Sequence, residues 1–219
     1  MRIRKSYCIL IVLLTVQTFF SCSNKQEKEG KGENVPATVR KQDPKKQAPV
    51  IRIYCYDEAP TQKAEMLKKA LTECYPRVEL MQQHLEPPKE HFLKERNRYS
   101  GTGLLKDLSK LKEGAVVLGI TDKVIYQANE ISPTFGVFGI SFVGAKVALI
   151  SLTQPSGKKH PDSHLVELMM HELGHAFGLS HCADEHCFMV DAEHGNKFSK
   201  TPSFCKECTI YLNGKGWRL

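Results

Sequence analysis

The hydrophobic rhythm of the chain changes several times along its length. Residues 7–20 are almost continuously apolar. Residues 23–48 then lose nearly all apolar character and are rich in Lys, Glu, Gln, Gly and Pro. From residue 50 the pattern becomes periodic. Residues 50–56 are β-branched and alternating, which predicts a strand. Residues 61–75 place Ala64, Leu67, Ala70 and Leu71 at helical spacing, and Pro76 ends that helix. A second strand is predicted over 77–81, a short amphipathic helix over 102–111, and a buried strand over 115–121. Two more strands, 136–142 and 146–152, flank a turn that contains Gly144. Pro161-Asp162-Ser163 offers an N-cap to a helix that runs to about residue 179, with Leu165, Met169, Leu173 and Ala176 on its core side. Strands and helices alternate, so the expected class is an α/β sandwich with a mixed sheet. No internal repeat is visible.

Composition changes this picture little. At 219 residues, 41% hydrophobic and 25% charged, the chain has room for one domain with appendages. Its single long apolar run excludes a polytopic membrane protein. Charge changes it more. The net charge is +7. Arg2, Arg4 and Lys5 account for +3 and residues 23–50 for another +3, which leaves +1 on residues 51–219. A nucleic-acid-binding domain carries its positive charge on the folded part, so no nucleic-acid partner is expected.

The basic n-region followed by a 14-residue apolar run reads as an export signal, too short to span a bilayer comfortably. The run ends in Phe19-Phe20-Ser21-Cys22. A small residue followed by Cys resembles a bacterial lipobox, in which Cys22 is acylated. An ordinary cleaved signal and an uncleaved anchor are the competing readings. The expected organisation is a signal peptide over 1–21, acylated Cys22 with a flexible tether over 22–49, and a folded domain over 50–219. The product would be an exported, membrane-anchored lipoprotein of a bacterial envelope, on the periplasmic face or the cell surface. A monomer is the working expectation.

Seven of the nine histidines lie between His160 and His194, and four of the eight cysteines lie between Cys182 and Cys208. His171 and His175 stand at i and i+4, one turn apart on one helix face, so both imidazoles can reach one metal ion. Glu172 is offset by about 100° around the helix. It is therefore no ligand at the same position, but it can reach a water on the metal, as a general base must. His181 follows Gly178 and cannot come from the same helix face. Gly178 can adopt the left-handed conformation that stops the helix and turns the chain. Three neutral imidazoles leave coordination open for water, as a catalytic zinc site requires.

Cys182 and Cys187 are followed by Cys205 and Cys208. Two such pairs fit a closed, structural four-sulfur zinc site. Two disulfides compete with that reading in an exported protein, but the two-residue spacing of Cys205 and Cys208 favours a chelate. His186 is one further donor beside Cys187. Cys55 and Cys74 fit either a disulfide or a pair of buried apolar positions. A cysteine-based redox protein is disfavoured, because a Cys-x-x-Cys of that kind opens a helix near the N-terminus.

Residues 171–208 resemble an archaemetzincin, a branch of the metzincin metallopeptidases. His171, Glu172, His175, Gly178 and His181 match the metzincin core. Cys182, Cys187, Cys205 and Cys208 match the cysteine set that distinguishes the branch, and Met189 matches the methionine of the turn beneath the metal. The resemblance implies a metzincin-like sandwich with a mostly parallel sheet, an active-site helix and a C-terminal zinc-stabilised subdomain. It further implies a metallopeptidase with two zinc ions per chain, acting on a peptide or protein substrate. By analogy, 137–142 or 146–152 is the edge strand that pairs with substrate backbone. The alternative is a non-catalytic, zinc-stabilised binding module tethered to a membrane, which the intact Glu172 disfavours.

Overall fold

The computed structural model describes residues 47–57, 61–130, 132–191 and 203–219. The leader, Cys22 and the greater part of the tether lie outside them. The elements run β1 (Ile51–Tyr56), α1 (Thr61–Cys74), β2 (Val78–Leu85), β3 (Phe92–Leu93), β4 (Arg98–Ser100), α2 (Gly101–Ser109), β5 (Val116–Thr121), β6 (Ile125–Gln127), β7 (Phe135–Val137), β8 (Gly139–Ser141), β9 (Val147–Ser151), α3 (Asp162–Phe177) and α4 (Lys206–Asn213). Five strands form one sheet in the order β2-β1-β5-β9-β8. The first three pairings are parallel and β8 closes the edge antiparallel to β9.

Strand alternation builds two cores on this sheet. Ile51, Ile53, Val116, Leu118, Ile120, Ala148 and Ile150 face one side and pack on α1 and α3. Tyr54, Tyr56, Val117, Val147 and Leu149 face the other and pack on Leu104, Leu105 and Leu108 of α2. The α/β class with a mixed, mostly parallel sheet is thus observed, with helices on both faces. Leu165, Met169, Leu173 and Ala176 of α3 are all buried in the first core. Burying a Leu-sized side chain contributes about 1.5–3 kcal/mol, whereas helix propensities differ by less than about 1 kcal/mol per ordinary residue. Packing therefore decides where α3 lies.

Two expectations are corrected. The segment 136–142 is two strands in two sheets. β7 pairs with β6 in a second, four-stranded sheet of order β3-β4-β6-β7, and β8 pairs with β9. The switch falls at Phe138, whose carbonyl accepts from Ser151 N–H at 2.9 Å. The N-cap of α3 is Pro161, which makes no side-chain cap; Asp162 sits in the first turn and pairs with Lys63 of α1. The pair Cys205–Cys208 lies at the C-terminal end, as read, with Cys205 as the N-cap of α4.

The C-terminal segment is held by aromatic packing. Tyr75, Phe177 and Trp217 meet edge-on at centroid separations of 5.3–5.5 Å. This trio joins the end of α1, the end of α3 and the chain terminus, so the cysteine-bearing segment is fastened beside the last turn of α3.

Candidate metal centres and a buried carboxylate

The last two turns of α3 lie against the edge strand. Gly144 N–H, in the β8–β9 turn, donates to the His175 carbonyl at 2.8 Å, and Lys146 N–H donates to the Ala176 carbonyl at 3.1 Å. These carbonyls belong to the helix end, where intrahelical partners run out. The helix stops at Gly178, whose φ of 112° is the left-handed conformation expected of it. That stop also aims the Leu179 carbonyl back at the helix.

His175 uses that carbonyl: its Nδ1 lies 2.8 Å from Leu179 O. His171 Nδ1 lies 2.7 Å from Phe188 O. A carbonyl oxygen only accepts, so each Nδ1 carries the proton and each Nε2 presents its lone pair. The two Nε2 atoms face each other at 3.1 Å. Burial, partly offset by the Phe188 hydrogen bond, lowers His171 to about 4, and burial likewise lowers His175. Both rings are therefore neutral at pH 7. Two lone pairs held 3.1 Å apart repel unless a cation lies between them.

His181 completes the set: one ligand atom from each of the three rings lies within 4.8 Å of the others. It is exposed, whereas His171 and His175 are buried, so the set opens to solvent on the His181 side. Its Nδ1 lies 3.3 Å from Oδ2 of Asp191, which leaves Nε2 for a metal. Asp191 was not singled out from the sequence. The available signal was an acidic residue two positions beyond Met189.

Glu172 is buried between α3 and β8. A Cβ placed on Gly139 would lie 2.6 Å from its Oε1. Burial alone pushes its carboxyl up to about 8, and a nearby bound cation would restore the ionised form. Met189 is fully buried beneath the helix: a Cβ on Gly174 would lie 2.3 Å from its Sδ. The small residue inside the His-Glu-Leu-Gly-His stretch therefore makes room for the methionine.

The four C-terminal cysteine sulfurs also lie within 4.8 Å of one another. Cys182 Sγ and Cys205 Sγ are 3.8 Å apart, far beyond a disulfide bond of about 2.05 Å. Cys187 Sγ accepts from the backbone N–H groups of Met189 and Cys205 at 3.4 and 3.3 Å. Burial pushes the Cys187 and Cys208 thiols up. Burial opposes ionisation of Cys205 too, but hydrogen bonds from Cys208 and the neighbouring sulfurs outweigh it and bring that thiol below its ordinary value. His186 is exposed and its backbone N–H binds Asp184; it is not among the four grouped donors. Cys55 and Cys74 are free thiols, so the disulfide reading of that pair is not realised.

Comparison with known proteins agrees with this geometry. Residues 73–214 match the sequence profile of Peptidase family M54. An archaemetzincin from Methanopyrus kandleri is 31% identical over 62% of this chain and 77% of its own length. One from Pyrococcus furiosus is 32% identical over 56% of this chain and 69% of its own. The crystal structure of the Methanopyrus kandleri archaemetzincin superimposes with a TM-score of 0.63 at 24% identity, covering 76% of this chain and 95% of that one. A zinc-dependent peptidase from Methanocorpusculum labreanum gives 0.61 at 22% identity, over 74% and 100%.

Proposed function

This chain belongs to peptidase family M54, the archaemetzincins, and from that premise we propose that its zinc is held by His171, His175 and His181 and that Glu172 is the general base. As a member of that family it is a zinc metallopeptidase, a hydrolase whose substrates are peptides or proteins. The non-catalytic binding module has no support among these relatives. The observation that carries the residue assignment is the pair of unprotonated Nε2 atoms facing each other at 3.1 Å beside a buried carboxylate.

When bound, zinc supplies Lewis acidity that polarises the scissile carbonyl and makes a water molecule acidic. The chain's own groups do the rest. Phe188 and Leu179 fix the tautomer and orientation of two imidazoles through their carbonyls. Asp191 orients the third. Glu172 takes a proton from the attacking water and hands it to the leaving amine. The outer edge of β8, which ends the sheet next to Glu172, offers backbone groups to an extended peptide. β9 is paired on both sides and cannot do so.

A second, structural zinc on Cys182, Cys187, Cys205 and Cys208 belongs to the same proposal. Its support is four free sulfurs converging within 4.8 Å, with Cys187 Sγ accepting from the backbone N–H groups of Met189 and Cys205. Membrane attachment through an acylated Cys22 is proposed on the leader sequence alone.

The test is Glu172→Ala, assayed for zinc and for turnover together. The variant is expected to keep its zinc and to lose about 10²–10⁴ in turnover, the usual contribution of a general base. An unchanged rate, or loss of the metal, would refute the assignment.

A further inference from the structure

The His171 set takes three of the seven histidines crowded into residues 160–194. Two others, His160 and His164, stand at the opposite end of α3. His160 is only 6% exposed. Its backbone N–H donates to Leu152 O at 3.2 Å, and its ring stands edge-on to Phe138, with centroids 5.0 Å apart. Yet neither ring nitrogen has a hydrogen-bond partner. His164 Nδ1 and Glu167 Oε2 are also buried and unpartnered. A neutral imidazole carries one N–H and one lone pair, and a buried polar atom left unpaired forfeits its hydration without compensation. Four such atoms on three neighbouring residues call for a ligand.

His164 acts on both of the others. After burial, the second influence that lowers His160 is His164, and His164 also opposes the upward push of burial on Glu167. His164 and Glu167 are i and i+3 on α3, which puts their Cβ atoms about 5–6 Å apart on one face. His160 precedes His164 by four residues.

We propose that His160, His164 and Glu167 form a binding site for a divalent transition-metal cation, separate from the His171 set. Two neutral imidazoles and one carboxylate are the donors that zinc or cobalt takes, rather than the all-oxygen shell of magnesium or calcium. His164 and His171 are seven residues apart, about 10 Å along the helix, so one ion cannot serve both sets. The three donors are not grouped within 4.8 Å as the other two sets are. Loading therefore requires the half-buried His164 and Glu167 side chains to rotate toward His160, which Phe138 and Leu152 hold in place. Phe138 immediately precedes Gly139 of β8, so an ion on His160 would tie the start of the edge strand to α3.

Equilibrium dialysis of the full chain against buffered Zn²⁺ or Co²⁺ tests this. The wild type is expected to bind one equivalent more than His164→Ala and one more than Glu167→Gln. His164 is half-buried and Glu167→Gln keeps the side-chain shape, so both variants are expected to fold, with unchanged peptidase turnover at low zinc. The readout is a difference between proteins. It does not depend on how many ions the His171 and cysteine sets hold, and a failure of the catalytic assignment would leave it intact. A ring ¹⁵N resonance of His160 that shifts with metal in the wild type, and not in the variants, is the second expected result. Equal stoichiometry in all three proteins, or an extra equivalent that survives both substitutions, would overturn the proposal.

Discussion

Gly139 and Glu172 are packed so tightly that residue 139 has no room for a side chain: a Cβ there would lie 2.6 Å from Glu172 Oε1 and 2.7 Å from its Cγ. The edge strand and the helix are thus brought together at the carboxylate proposed as the general base. Glu172 is buried and cannot swing aside. Gly139→Ala is therefore expected to move the carboxylate and lower turnover about 10²-fold, the scale of a misplacement near 1 Å, while zinc content stays at the wild-type level. Metal analysis beside a peptidase assay checks this. A fully active Gly139→Ala protein would show that the close packing has no bearing on catalysis.

Asp191 is expected to act on metal affinity. Its contact with His181 Nδ1 at 3.3 Å orients the one exposed ligand of the set. Removal of such an outer partner typically costs 10–100-fold in affinity. Zinc competition with a chromophoric chelator should show Asp191→Ala weakened by roughly that factor, with the proposed metal on the four cysteines unaffected. Equal affinity would remove Asp191 from the site.

The metal-free protein should have a peaked pH dependence of stability. His171 and His160 titrate near 4 in the folded chain against an ordinary 6.5. Between those values the unfolded chain binds more protons, so these rings make stability rise with pH. Glu172 titrates near 8 against an ordinary 4.5. In that window the folded chain holds the extra proton, so Glu172 makes stability fall as pH rises. Above about pH 6.5 only the Glu172 effect remains among these three groups. Thermal unfolding of chelator-treated protein is expected to weaken from pH 6.5 to 8, and Glu172→Gln should flatten that decline. A wild-type curve as flat as that of the variant would contradict the burial argument.

Much of the candidate site was legible in the sequence because its geometry is local. Two histidines four residues apart share a helix face whatever the rest of the chain does, and Gly178 announces the stop between His175 and His181. The Met189 position was legible only through the family resemblance; its reason, the space left at Gly174, needed coordinates. Non-local pairing was not legible. Alternation over 136–142 says that the segment is extended, but not that Gly136 pairs with Tyr126 while Gly139 pairs with Ile150. β3, β4 and β6 have two or three residues each, too few for a period to register. α4 buries only Cys208 and Leu212, so its apolar stripe was too thin to notice beside its cysteines.

Zinc content and peptide hydrolysis measured together on the purified full chain and on His175→Ala test the central claim most directly. The wild type is expected to cleave peptides, to stop when zinc is removed by a mild chelator, and to resume when zinc is returned. His175→Ala is expected to hold one zinc fewer than the wild type, to keep its fold by circular dichroism, and to hydrolyse nothing at any zinc concentration that leaves the chain soluble. Hydrolysis by His175→Ala at the wild-type rate, or a zinc content equal to that of the wild type, would contradict the account.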